Sequence, residues 1–127
     1  MTGYSVKIAE ISKEVTAKQR VMLKDTSNAI KLDAVITNND EKVVINPDYY
    51  AVLNIHNEKS DTNKDYNNYM IVDKDGTKYI TGSPSFWDSF NEIYEEMKDV
   101  DEDYSIEVYK MDSKNYKGKK FLTCSIV

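Results

Sequence analysis

Tyr66-Asn-Asn-Tyr-Met-Ile-Val-Asp-Lys-Asp-Gly-Thr-Lys-Tyr-Ile-Thr81 decides the fold of this chain. Its arms, Tyr66 to Val72 and Thr77 to Thr81, are rich in aromatic and β-branched residues. They flank Asp73-Lys-Asp-Gly76, where glycine can take the positive φ that a tight turn requires. The segment therefore reads as a β-hairpin. Immediately after it, Ser83 can cap a helix and Pro84 suits the first helical position. Phe86, Trp87, Phe90, Ile93, Tyr94 and Met97 then recur at helical spacing and form an apolar stripe, opposite Asp88, Glu92, Glu95 and Glu96.

Working outward, Tyr49, Ala51, Leu53 and Ile55 alternate with polar residues and give a strand over Tyr49 to His56, followed by a polar loop from Asn57 to Asp65. Ser105 to Met111 and Lys120 to Val127 alternate as two further strands. The first 48 residues are less regular. Tyr4, Ile8, Ile11 and Val15 fit a helical stripe, while Tyr4, Val6 and Ile8 also fit a strand; Ala29 to Ile36 fits either and is taken as strand-like. From Tyr49 the order is strand, strand, strand, helix, strand, strand. The class is mainly β with one prominent helix. A helix between strands three and four of a five-stranded antiparallel barrel is the plan of an oligonucleotide/oligosaccharide-binding (OB) fold. At 127 residues the expectation is a single OB-like domain over 1–127, with 1–48 as a strand, a helix or an arm.

Charge is distributed unevenly. The net charge is −5, yet the stretch from Asp88 to Glu107 holds nine carboxylates and one lysine, so the rest of the chain is basic. Lysine outnumbers arginine sixteen to one, which suits contact with phosphates more than bidentate base reading. The loop between the last two strands, Tyr109-Lys-Met-Asp-Ser-Lys-Asn-Tyr-Lys-Gly-Lys-Lys-Phe121, interleaves lysines with aromatic rings, the combination that holds a phosphate backbone while bases stack. Tyr109, Lys110, Lys114, Tyr116, Lys117, Lys119 and Lys120 are its candidate contacts. In an OB barrel the second and third strands carry the bases, which adds Tyr66, Tyr69, Lys78 and Tyr79 from the hairpin. Alternation leaves open which of these tyrosines face a groove and which face the core.

Asp75-Gly-Thr-Lys-Tyr-Ile-Thr-Gly-Ser-Pro-Ser-Phe-Trp87, together with Ser113-Lys-Asn-Tyr-Lys-Gly-Lys-Lys-Phe121, resembles small OB-fold single-stranded DNA-binding proteins of phages and mobile elements of Gram-positive bacteria. The resemblance runs from Tyr49 to the end and rests on strand order and local texture. Many such proteins end in an acidic tail, whereas here the last residues are apolar and the acid cluster is internal. The resemblance implies non-catalytic binding of single-stranded DNA with little sequence preference, in support of phage or plasmid replication or recombination. RNA as a ligand, replication or recombination proteins as partners, and a homo-oligomer all stay open. The alternative is a phage-encoded protein-interaction module or inhibitor whose acidic face imitates nucleic acid.

Catalytic and metal chemistry is poorly supplied. A single cysteine, Cys124, alternates with Leu122 and Ile126 as a core thiol would, and a single histidine, His56, has no cysteine near it in sequence. Zinc sites built from cysteine and histidine fail on count, and the four glycines are too scattered for a phosphate-cradling loop. Asp99-Val-Asp-Glu-Asp103 begins like a calcium loop, but Tyr104 and Lys110 stand where glycine and glutamate are needed. No cofactor, metal or reaction is expected. No apolar run is long enough for a bilayer and the first residues lack a signal-peptide core, so no membrane partner is expected and the expected location is the cytoplasm of a bacterial host cell.

Overall fold

Strands form where the alternation is clear, and the computed structural model describes residues 4–37, 40–58, 65–112 and 119–127. The chain sorts into two units, one from Met1–Ile30 and Asp48–Gly82, the other from Lys31–Pro47 and Ser83–Val127. Among the described residues there are eight strands: β1 (Tyr4–Ile11), β2 (Ile30–Lys31), β3 (Val43–Ile45), β4 (Pro47–Asn57), β5 (Asp65–Asp73), β6 (Lys78–Thr81), β7 (Ile106–Asp112) and β8 (Lys120–Ile126). The helices are α1 (Ala17–Lys24), the single turn α2 (Leu32–Val35) and α3 (Pro84–Met97). The strands form two open sheets, ordered β1-β4-β5-β6-β2 and β3-β7-β8, so the described residues are mainly β with one prominent helix and no closed barrel.

In the first unit β1 runs antiparallel to β4 with Val6 opposite Ile55 and Ile8 opposite Leu53. β5 pairs with β6 so that Met70 faces Ile80. Opposed residues share a face, so one side of the sheet collects Tyr49, Ala51, Leu53, Ile55, Met70, Val72 and Ile80, and Leu23 of α1 packs onto it. Thr16 begins α1 by accepting from the Gln19 N–H while the Gln19 side chain accepts from the Thr16 N–H, a capping box. The hairpin turn forms as expected. Gly76 has φ +92°, the Asp73 and Asp75 carboxylates accept the backbone N–H groups of Asp75 and Thr77, and hydrogen bonds from Thr77, its side chain first and its N–H second, hold the Asp75 carboxyl below its usual pKa.

In the second unit Ile45, Ile106, Val108, Leu122 and Cys124 make the inner face of the three-stranded sheet. Ser83 accepts from the Phe86 N–H and Pro84 opens α3. Phe86 and Phe90 are buried, and Trp87, Phe90 and Tyr94 stack in series along the helix. α3 packs against β8, where the Ser85 hydroxyl donates to the Leu122 carbonyl at 2.7 Å, covering what is otherwise an open edge of the sheet. The stretch from Ala29 to Ile36 departs from its strand-like reading. Only Ile30–Lys31 is extended, because Leu32 and Ile36 are both fully buried and their spacing of four residues is met by a helical turn.

Two substitutions test these supports. Gly76→Ala forces a side chain into positive φ and is expected to cost about 1–2 kcal/mol in urea unfolding. Phe90→Ala removes the centre of the α3 packing and is expected to cost about 3–5 kcal/mol.

Candidate nucleic-acid interface

The hairpin tyrosines do not share one surface. Tyr69 lies opposite Thr81 and Ile71 lies opposite Tyr79, so Tyr69 and Tyr79 are diagonal neighbours on one face. Both are half-buried, and desolvation raises the Tyr79 phenol pKa. Tyr66 is on the other face, packed against the core cluster beneath α1. Lys78, opposite Val72, shares that inner face. Its ammonium donates to the Met22 and Asp25 carbonyls at 2.7 and 2.8 Å, closing the C-terminal end of α1.

Polar residues that the sequence reading passed over extend the Tyr69 face. Asn67 precedes Tyr69 by two positions and accepts from the Asn54 amide at 3.2 Å. Lys7 of β1 stands opposite Asn54, and Ser5 stands opposite His56. Alternation within β1 and β4 carried this signal, but only strand pairing brings Lys7, Asn54, Asn67 and Tyr69 into adjacent rows. Tyr50, Val52, Ile71 and Thr81 share this face and are buried, so it exposes Lys7 and Asn67 and leaves Asn54, Tyr69 and Tyr79 half-buried among them.

His56 marks the end of this face. Its Nδ1 lies 2.7 Å from the Asp65 carboxylate and its Nε2 lies 2.5 Å from that of Glu58. Those hydrogen bonds, Asp65's first, raise the imidazole pKa above 6.5. Protonated His56 donates to both carboxylates and so ties the end of β4 to the start of β5.

In the second unit the lysine loop divides by strand alternation. Tyr109 lies opposite Thr123 on the outer face; its hydroxyl is 2.6 Å from Ser125 Oγ, and Lys42 Nζ sits 5.9 Å from its ring centroid. Lys42 also pairs with Glu107 at 2.8 Å, which raises the lysine pKa. Lys110 and Lys120 lie on the opposite face, and Lys120 pairs with Asp112 at 2.9 Å. Lys119 is exposed. Lys114, Tyr116 and Lys117 lie outside the described residues.

Other chemistry has little to build on here. Burial pushes the Cys124 thiol up to about 12, so it is protonated at neutral pH. No group of three or more His, Cys, Asp or Glu among the described residues is placed to hold a metal ion. No described helix is long and apolar enough to cross a membrane. No family model matches the chain, and no curated protein or solved structure matches it.

The His56 contacts set a pH dependence. Because the folded pKa is raised, their contribution to stability is complete below the ordinary value of 6.5 and is lost as pH rises through the folded value. An NMR titration of the His56 ring is expected to give a pKa above 6.5 that Asp65→Asn lowers.

Proposed function

We propose that the protein binds single-stranded DNA without catalysing a reaction and with little sequence preference, on an OB-like plan. Its role would be to keep phage or plasmid DNA unpaired for replication or recombination. The observation that carries this reading is the diagonal pair Tyr69 and Tyr79, half-buried on the sheet face that also carries Asn54, Asn67 and Lys7. Rings offer stacking to any base, amides offer hydrogen bonds to sugar and base edges, and ammonium groups meet phosphates. The element order also supports an OB-like plan, since α3 follows the strands β4, β5 and β6 and precedes β7 and β8.

In this mechanism the lysines from Lys110 to Lys120 capture the backbone electrostatically, and stacking on tyrosines follows. Affinity then depends on released counterions more than on base identity. Tyr66 and Lys78 contribute by holding the hairpin and α1 in place, since their side chains are turned to the inner face.

One observation favours a second reading. Asp88, Glu92, Glu95 and Glu96 form an exposed acidic face of α3, a surface that suits a basic protein partner and would make the chain an interaction module or inhibitor. Charge reversal at Glu95 and Glu96 abolishes capture of such a partner and leaves oligonucleotide binding intact.

Oligonucleotide binding measured by fluorescence anisotropy across a salt series tests the main reading. Affinity is expected to fall steeply with salt, and Lys117→Glu combined with Lys119→Glu is expected to weaken binding to all sequences alike. Tyr69→Ala is expected to remove about 1–3 kcal/mol of binding free energy. Absence of binding at low salt would refute the reading.

A further inference from the structure

α1 is charged against its own stability. Leu23 is its one buried residue, and Val21 and Met22 are 69% and 53% exposed. Lys18, Arg20 and Lys24 are exposed as well, the helix holds no acid, and none of the three side chains has an ion pair or hydrogen bond with a described residue. Lys13, Lys42, Lys98 and Lys120, by contrast, each hold a carboxylate. A lysine in the first turn opposes the positive end of the helix dipole, and Arg20 and Lys24, four residues apart, repel. Val21 stands three residues from both Lys18 and Lys24, so an apolar group sits between cations on the side away from Leu23. Neither feature serves the fold. Both suit an anionic surface with an apolar flank, brought up from outside.

α3 presents such a surface. Asp88, Glu92 and Glu96 follow one another at four-residue steps, are exposed, and have no ion pair with a described residue. Glu95 beside them takes Lys98. Ile93, three residues before Glu96, is half-buried and forms an apolar flank. The row from Asp88 to Glu96 spans about 12 Å of helix and the cations from Lys18 to Lys24 about 9 Å, so the two match in length as well as in sign. A nucleic-acid strand fits α1 less well. Ala17–Lys24 has no ring for a base to stack on, α1 lies on the side of the sheet away from Tyr69, and phosphates leave Val21 and Met22 uncovered. Arginine and methionine together are characteristic of protein interfaces.

We propose that α1 of one copy of this chain docks on the acidic α3 face of a second copy, Lys18, Arg20 and Lys24 against Asp88, Glu92 and Glu96, with Val21 and Met22 over the Ile93 flank. This names the partner of the α3 face and so rests on the second reading above, and not on strand binding. The contact is heterologous, since each copy brings a different patch. Two helix faces this short bury less than the roughly 1,200 Å² of a stable complex, so the association is transient and depends on concentration. Exposed ion pairs are screened by salt, so it also weakens as salt rises.

Sedimentation velocity on the full chain, with NMR of the isotope-labelled chain over a concentration series, tests this. At low salt the chain is expected to self-associate and to shift the α1 and α3 amides together. Raising NaCl from about 0.05 to about 0.5 M is expected to weaken association by about tenfold or more. Lys18→Glu with Arg20→Glu places acids at the positive end of α1, and Glu92→Lys with Glu96→Lys places cations toward the negative end of α3, so neither helix is weakened. Each double variant alone is expected to stay monomeric, and an equal mixture of the two is expected to associate. A monomeric wild-type chain at low salt, shifts missing from either helix, self-association retained in either variant, or a mixture that stays monomeric would each overturn the proposal. So would α1 shifts produced by oligo(dT) or by phosphatidylglycerol vesicles in a chain that does not self-associate, which assign the helix to nucleic acid or to a membrane surface. Oligo(dT) binding by a monomeric chain overturns the docking and leaves the strand reading standing. Self-association without oligo(dT) binding supports the docking and removes that reading.

Discussion

The register of the β5–β6 hairpin is the constraint from which the first unit follows. Met70 opposite Ile80 and Val72 opposite Lys78 turn one row inward and leave Tyr69 and Tyr79 on the other side. A slip of one residue would exchange the two rows and take Met70 and Val72 out of the core beneath α1. The turn at Gly76 and the core beneath α1 both resist that slip, the first by its positive φ and the second by complete burial of Met70 and Leu53. Lys78 adds a tether at the same place, since its ammonium spans from the hairpin to the last carbonyls of α1. The side on which Tyr69 and Tyr79 lie is therefore set by how strongly the inner row is specified.

The second unit separates charge by the same alternation. α3 turns Phe86 and Phe90 inward and leaves Asp88, Glu92, Glu95 and Glu96 in solvent, while β7 and β8 carry Tyr109 on one side and Lys110 and Lys120 on the other. Ser85 and Ser89 of α3 bond to β8, at Leu122 and Thr123, and fix the helix along that strand. α3 thus concentrates acidic groups, while β7 and β8 mix the two signs and pair them at Lys42–Glu107 and Lys120–Asp112.

Much of this was legible beforehand where period and punctuation agreed. Asp73 to Gly76 announced the turn, Ser83-Pro84 announced the start of α3, and the alternation in 49–56, 105–111 and 120–127 announced β4, β7 and β8. The N-terminal region was harder because Tyr4, Ile8, Ile11 and Val15 satisfy a helical period as well as a strand with an irregular step, and a register shift does occur between Ile8 and Glu10. α1 has few apolar residues and one buried side chain, Leu23, so its signal was the Thr16–Gln19 capping box alone. The candidate site was half legible. Tyrosine and lysine enrichment singled out the hairpin and the last loop, but the face of each residue depended on pairing, which set Tyr66 and Lys78 inward and placed Asn54, Asn67 and Lys7 beside Tyr69. Lys42, beside Tyr109, lay too far away in sequence to be linked to it.

The central claim is that a nucleic-acid strand lies on the Tyr69 face. Backbone chemical-shift mapping of the full chain with oligo(dT) at low salt tests it most directly. The claim predicts that the largest shifts cluster at Lys7, Asn54, Asn67, Tyr69 and Tyr79, with α3 unaffected. Shifts confined to α3, or no shifts in the first unit at saturating oligonucleotide, would contradict it.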